Sequence, residues 1–188
     1  MFDQLDTSPN PVTNGVEDLL IDLTQVDLDK NGRVDDQVAV TVQSKSRGRF
    51  NNTVGFYQVQ NAQGAIADPL SSKTLMPGDA GYRQSAIANR ITDLDMDRNT
   101  GTLTTTVDGG QLLAPFIVAN NTPEGAAKRV RRNMKNVYFA FEAANMDGVA
   151  HIRGGSSEGQ QTFGFEDHWN GGNKSFNDVI VNAEISAI

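Results

Sequence analysis

Between Phe163 and Val181 the chain reads FGFEDHWNGGNKSFNDVIV, and oxygen-bearing side chains interrupt a strand-like run at Glu166, Asp167, Asn170, Asn173, Asn177 and Asp178. Gly171 and Gly172 sit in the middle, where they allow a tight backbone path. Carboxylates and amide carbonyls gathered at the mouth of a turn suit a hard cation such as Ca²⁺, which takes about six to eight oxygens at roughly 2.3–2.6 Å. The expectation is cation chemistry in an extracellular binding module, with several Ca²⁺ ions and no catalysis.

Two further acidic runs and one lone acid fit the same chemistry. In DLDKNGRVDD, Asp27, Asp29, Asn31, Gly32 and Asp35 match positions 1, 3, 5, 6 and 9 of a calcium loop, and Val34 matches its apolar position 8. Val38 stands at position 12 in place of a bidentate Glu, and neither flank reads as a helix, so a complete EF-hand is not expected. A calcium loop joining two strands is expected instead, against the plainer reading of a solvated Asp- and Gly-rich turn. In TDLDMDRNTG, Asp93, Asp95, Asp97 and Asn99 alternate, which in a straight strand crowds like charges on one face unless a cation or solvent compensates. Arg98 replaces the glycine of an EF-type loop there. Asp147 adds another candidate ligand.

Other chemistries find less support. A Ser-His-Asp set can be written from Ser156, His151 and Asp167, but no nucleophile elbow surrounds the serines. His151 and His168 are the only histidines, their separation makes no zinc motif, and the absence of cysteine excludes thiolate sites and disulfides. Lys128, Arg129, Arg131, Arg132 and Lys135 form the one basic concentration. On a chain of net charge -7 that run reads as a solvated face or an internal counterweight, and no nucleic-acid partner is expected. The single tryptophan, Trp169, lies among loop residues, where its ring either faces a ligand or packs over the loop base.

The elements that must position these groups read mostly as β. The sequence has 188 residues, 18 glycines and a pI near 4.7, which suits one domain over residues 16–188 behind a loose, flexible lead of residues 1–15. No signal peptide is visible, and no apolar run reaches the roughly 20 residues of a bilayer span, so no direct membrane insertion is expected. Strands are expected from Val16 to Thr24, in QVAVTVQS, TVGFYQVQ, LTTTV, VYFAF, TFGFED and DVIVNAEI. Asp108-Gly109-Gly110 reads as a hairpin turn, and Pro115 places its strand at an edge or bulge. One short helix follows an Asp79 cap, with Tyr82 and Ala86 on one side, and another starts at Thr122-Pro123-Glu124. ANMDGVAHIRGGSSEGQQ reads as a long connection supplying Asp147, His151, Arg153, Gly154, Gly155, Ser156 and Ser157. If the strands before Glu166–Asp167 and after Asn177–Asp178 pair, those four residues meet at one end of a sheet.

Phe163, Gly164, Phe165, Glu166 and Asp167, then Gly171 and Gly172, then Phe176, Asn177 and Asp178 resemble a family of bacterial extracellular domains whose hallmark is F-G-F-E-D, a glycine-rich loop, F-N-D and a hydrophobic strand. VGFYQV, PGDAGY and VYFAFEAANMDG extend the likeness over roughly residues 53–185. More narrowly, the chain resembles the peptide-binding domain near the distal end of large bacterial RTX adhesins. That resemblance implies a calcium-stabilised β-sandwich with long loops, at the bacterial cell surface and within a larger adhesin chain. It also implies capture of peptides or proteins of another cell surface through C-terminal carboxylates. The family loop commonly has Asp where this chain has Asn173 and Ser175, which weakens the case for either as a ligand.

An exposed Ca²⁺ with an unfilled position is expected to accept the carboxylate, with backbone N–H groups near Gly154, Gly155, Gly171 and Gly172 completing the grip. Asp79, Arg83, Trp169 and Asn170 are expected pocket walls, beside Ser156 and Ser157. Arg153 pairs either with an acidic partner side chain or within the chain. A carbohydrate partner is the alternative, since open calcium, Asn and Asp side chains and Trp169 also suit vicinal hydroxyls. A purely structural calcium domain is the third reading.

Overall fold

The computed structural model describes residues 16–128, 134–157 and 160–188. A 3-10 turn at Val16–Leu19 leads into β1 (Ile21–Asp22), β2 (Gln37–Ser46), β3 (Thr53–Val59), β4 (Ile66–Ala67) and β5 (Thr74–Leu75), followed by helix α1 (Tyr82–Ala88). Then come β6 (Thr102–Asp108), β7 (Leu112–Val118), α2 (Pro123–Ala127), β8 (Val137–Phe139), β9 (Ile152–Ser157), β10 (Gln160–Phe165) and β11 (Val179–Ala187). The fold is β-rich. A five-stranded antiparallel sheet has the order β6-β2-β11-β10-β9, and a four-stranded one places β7 between β3 on one side and β1 and β8 on the other. β4 and β5 form a separate ribbon. No helix among the described residues is long and apolar enough to cross a membrane.

Hydrophobic patterning explains how the sheets lie. In β2, Val38, Val40 and Val42 alternate with more exposed residues, so only one face is covered. Those valines share an apolar layer with Phe163, Phe165 and Val181 of the same sheet and with Val54, Phe56, Leu113 and Ile117 of the other. Phe56 meets Phe163 edge-on at 5.4 Å, joining the two sheets through a favoured aromatic geometry. The four-stranded sheet is covered on both faces. Its outer side, with Tyr57, Phe116, Val118 and Phe139, packs on Tyr82 and Ala86 of α1 and Ala126 of α2. LLAPFIV accordingly reads as a continuous apolar run, and TVGFYQV is buried throughout except at Gln58.

Several expectations change. Val16–Thr24 is a 3-10 turn and a two-residue strand, not one long strand. Asp108-Gly109-Gly110 makes no hairpin, because β6 and β7 belong to different sheets. The turn is held by Gly109 N–H donating to Asp36 C=O (2.7 Å) and Gly110 N–H to Leu23 C=O (2.8 Å). Pro115 lies in the central strand β7. Its carbonyl accepts from Ala140 N–H, so the side without an N–H faces the gap between β1 and β8, where no ladder bond is lost. Residues 152–157 are edge strand β9 and not part of a loop. Asp79 does not cap α1: the N-cap is Gly81, and Asp79 Oδ2 accepts from Met76 N–H instead. Thr122 does cap α2, accepting from Gly125 N–H. The lead of residues 1–15 and Arg129, Arg131 and Arg132 lie outside the described residues, as does the side chain of Ser157.

Candidate metal centre

The register of β10 and β11 builds the first cluster. Phe165 opposite Val179 is their last pair, and Asp178 N–H still donates to Phe165 C=O at 3.1 Å. Glu166–Asp167 and Asn177–Asp178 therefore leave the sheet at the same end. Asp167 N–H donates to Asp178 Oδ2 at 3.1 Å. Asp167, His168 and Asp178 each present a ligand atom within 4.8 Å of the others, a group that can hold a metal ion.

Asp167 is buried, with Oδ2 accepting from Asn52 Nδ2 at 2.8 Å and Oδ1 facing His168 Nδ1 at 2.5 Å. The His168 side chain is 62% exposed and stacks on Phe50, so the cluster opens to solvent on that side. Burial raises the Asp178 carboxyl; the Asp167 N–H opposes it, the charges of Asp167 and Glu166 add to it, and the result is a pKa of about 6.

Glu166 does a different job. It is buried, and Oε1 accepts from Phe176 N–H at 2.7 Å and Ser175 Oγ at 3.0 Å. A Cβ on Gly172, whose φ is +48°, would stand 2.2 Å from Glu166 Oε2, so the loop closes over this carboxylate only with glycine there. Asn173 Oδ1 accepts from Ser175 N–H and Asn177 Oδ1 from Ser175 Oγ. The residues expected as neighbouring ligands thus shape the loop that carries Asp178.

Asp147 ties that loop to the segment before β9. Its Oδ2 accepts from Asn170 N–H at 2.8 Å and lies 2.9 Å from His151 Nε2. His151 is fully buried, faces the Glu166 carbonyl through Nδ1 and stacks on Tyr138 at 3.5 Å. Burial pushes the Asp147 carboxyl up, but the His151 and Asn170 donors outweigh it and the net shift is downward. Tyr138 is pushed up to about 12 by burial and then by the charges of Asp147 and Asp167. Asp147 Oδ1 is buried with no hydrogen-bond partner among the described residues. On either side of the Asp147–Asn170 bond, Met146 is 47% and Trp169 46% exposed. The hypothetical Ser-His-Asp set does not assemble: His151 is committed to Asp147 and Glu166, and Ser156 pairs opposite Gln161 in the sheet.

The second cluster is Asp27, Asp29 and Asp36, again within 4.8 Å of one another. Asn31 N–H donates to Asp27 Oδ1 and Asp29 Oδ1, Gly32 N–H to Asp27 Oδ2 (2.9 Å), and Asp29 N–H to Asp36 Oδ2 (3.1 Å). The inward carboxylates and the left-handed Lys30 and Gly32 give the curl of a cation loop. Asp36 occupies the place expected of Asp35, which is exposed. This donor set is all oxygen and suits a hard ion; the first cluster adds an imidazole nitrogen, which softer divalent ions also accept.

Asp93, Asp95, Asp97 and Asn99 do not converge. Thr92–Leu94 is a 3-10 turn, which breaks the alternation, and Asp93 is exposed. Asp95 pairs with Arg90 Nε at 2.8 Å, though burial still leaves its pKa raised. Asp97 accepts from Thr100 Oγ and Asn99 N–H, which lower its pKa.

Of the remaining candidates, Arg153 lies 4.1 Å above the Phe176 ring, a cation–π contact. Gly154, Gly155 and Ser156 pair with β10. A Cβ on Gly154 would sit 1.8 Å from Asp18 C=O, so this glycine admits the 3-10 turn at Val16–Leu19. Asp79 and Arg83 line a cleft with Gly78 and Ala143. Asn52, the donor to Asp167, carries no sequence signal for that role, being 115 residues away.

Residues 107–186 match the model of a family described as a domain of unknown function (DUF4114), a stretch that begins late in β6 and contains Asp147 and the whole Asp167–Asp178 loop. No curated protein and no solved structure matches the chain.

Proposed function

We propose that this chain is a calcium-dependent module of a bacterial cell-surface adhesin that captures partner polypeptides through a C-terminal carboxylate. One observation carries the reading: Asp167 and Asp178 meet at the open end of β10 and β11, beside buried Glu166, with the Asp178 carboxyl raised to about 6. Two acids so close are unfavourable when both ionised, and a divalent cation removes the conflict. Ca²⁺ held by Asp167 and Asp178 would supply positive charge to an incoming carboxylate or hydroxyl pair.

The chain's own residues do the rest. Glu166 and Gly172 fix the loop, Asp147 holds the Trp169–Asn170 turn, and exposed Trp169 and Met146 offer apolar surface beside the cluster. The Asp27, Asp29 and Asp36 loop is the second Ca²⁺ site, with a stabilising role, since a ligand that binds only the folded chain stabilises it by mass action. The apolar layer shared by the two sheets supports a sandwich architecture for this module. Trp169 also favours a second reading, a carbohydrate partner whose sugar face stacks on the ring.

Calorimetric titration with free-acid and amidated forms of one peptide library, with Ca²⁺ and after chelation, tests the proposal. Binding of the acid and not the amide, tightened by Ca²⁺ and weakened about tenfold or more by chelation, supports it. Binding of simple sugars in place of peptides supports the second reading, and binding of neither leaves a structural calcium domain.

A further inference from the structure

The cleft beside α1 holds a charge that has no partner among the described residues. Gly78, Asp79, Arg83 and Gln84 line it with Ala143, and its volume is about 160 Å³. A cavity of about 150 Å³ accepts benzene, so a carboxylate and the first atoms of its chain fit. Arg83 is half-buried, and among the described residues no hydrogen bond, ion pair or ring contact holds its guanidinium. Arg90 shows the usual arrangement, with Nε on Asp95 and its other nitrogens on Ile87 C=O and Glu124. Burial lowers the Arg83 pKa, the mark of a cation losing water.

A partly desolvated guanidinium is best compensated by a carboxylate, which takes two parallel N–H···O bonds. Asp79 does not serve: its Oδ2 accepts from Met76 N–H at 2.8 Å and it makes no ion pair with Arg83. A bare anion gains nothing from Asp79, whereas a peptide carboxylate brings N–H donors of its own. Ala144 of the cleft wall lies three residues before Asp147, which holds the Trp169 turn, so the chain itself links the cleft to the metal-cluster loop.

We propose that this cleft is a carboxylate subsite for the captured polypeptide, with Arg83 as its anchor, and that it works without a metal. The proposal rests on the peptide-binding reading above. The test is a nitrogen-15 NMR titration of the full chain with N-acetylalanine and N-acetylalaninamide, in excess calcium and in excess chelator. The acid shifts the Arg83 Nε–H and the Gly78 and Gly81 amide signals saturably in both conditions, and the amide does not. Arg83→Gln weakens this by about tenfold or more, the worth of a charge-assisted hydrogen bond, with the remaining spectrum unchanged.

Should chelation unfold the chain, Asp178→Asn in calcium makes the same comparison, and the Arg83 shifts must survive it. Absence of these shifts, equal shifts from the amide, or their loss on chelation of the folded chain or in Asp178→Asn overturns the subsite. If the Arg83 signals respond while those of residues 167–178 never do, the subsite stands and calcium-assisted capture falls. The converse pattern removes the subsite alone.

Discussion

Asp167 and Asp178 leave neighbouring strands where the pairing of β10 and β11 stops, and the Asp167 N–H donates to Asp178 Oδ2 at 3.1 Å. Asn52 and His168 serve the Asp167 carboxylate, so the unrelieved charge falls on Asp178.

That arrangement fixes a pH dependence. The Asp178 pKa rises from 3.8 to about 6 on folding without metal. A raised carboxyl favours folding in its protonated form: the contribution is complete below 3.8 and is lost as pH rises through about 6. Cation binding must displace the same proton, so affinity at this cluster increases over that window. Thermal melts at pH 5 and pH 7 should show a larger calcium-induced rise in Tm at pH 7, and Asp178→Asn should flatten the difference.

Glu166 and Gly172 form one closure. Glu166→Ala leaves the buried Phe176 N–H without its acceptor, a cost of about 1–3 kcal/mol. Gly172→Ala drives a Cβ toward Glu166 Oε2 at a left-handed position and costs about as much. Chemical denaturation of both variants should give similar losses, and hydrogen exchange should show the increased opening confined to residues 166–178.

The loop before β2 separates neighbouring acids. Asp36→Asn should remove one calcium from the stoichiometry measured by calorimetry, because Asp36 belongs to the Asp27 and Asp29 cluster. Asp35→Asn should retain it, since Asp35 is exposed and outside that cluster.

Gly154→Ala provides the contrast between packing and binding. Its Cβ would overlap Asp18 C=O, and dislodging the Val16–Leu19 turn costs about 1–3 kcal/mol, as overpacking does. Calorimetry on the folded variant should return the parent calcium affinity at both clusters.

What the sequence made legible follows from period and pairing. The alternation of Val38, Val40 and Val42, and of Val179, Val181 and Ala183, made β2 and β11 readable, and the pairing of β11 with the TFGFED strand carries Asp167 to Asp178. Local acid spacing was less informative. Asp95 alternates as well as Asp27 does, yet a 3-10 turn and Arg90 divert it, and neither depends on spacing. Gly154 and Gly155 resembled a loop because glycine is poor in strands, whereas an approaching turn requires Gly154 in β9. Asn52 and Phe50 reach the cluster through tertiary contact alone, Asn52 on Asp167 and Phe50 stacked on His168.

The most direct measurement is calorimetric titration of the calcium-loaded chain with free-acid peptides, repeated with their amides and with Asp178→Asn. Saturable binding of the acids, none of the amides, and binding weaker by about tenfold or more in Asp178→Asn, with circular dichroism showing the fold retained, are the expected results. Equal binding of acid and amide, or full binding by folded Asp178→Asn, would contradict it.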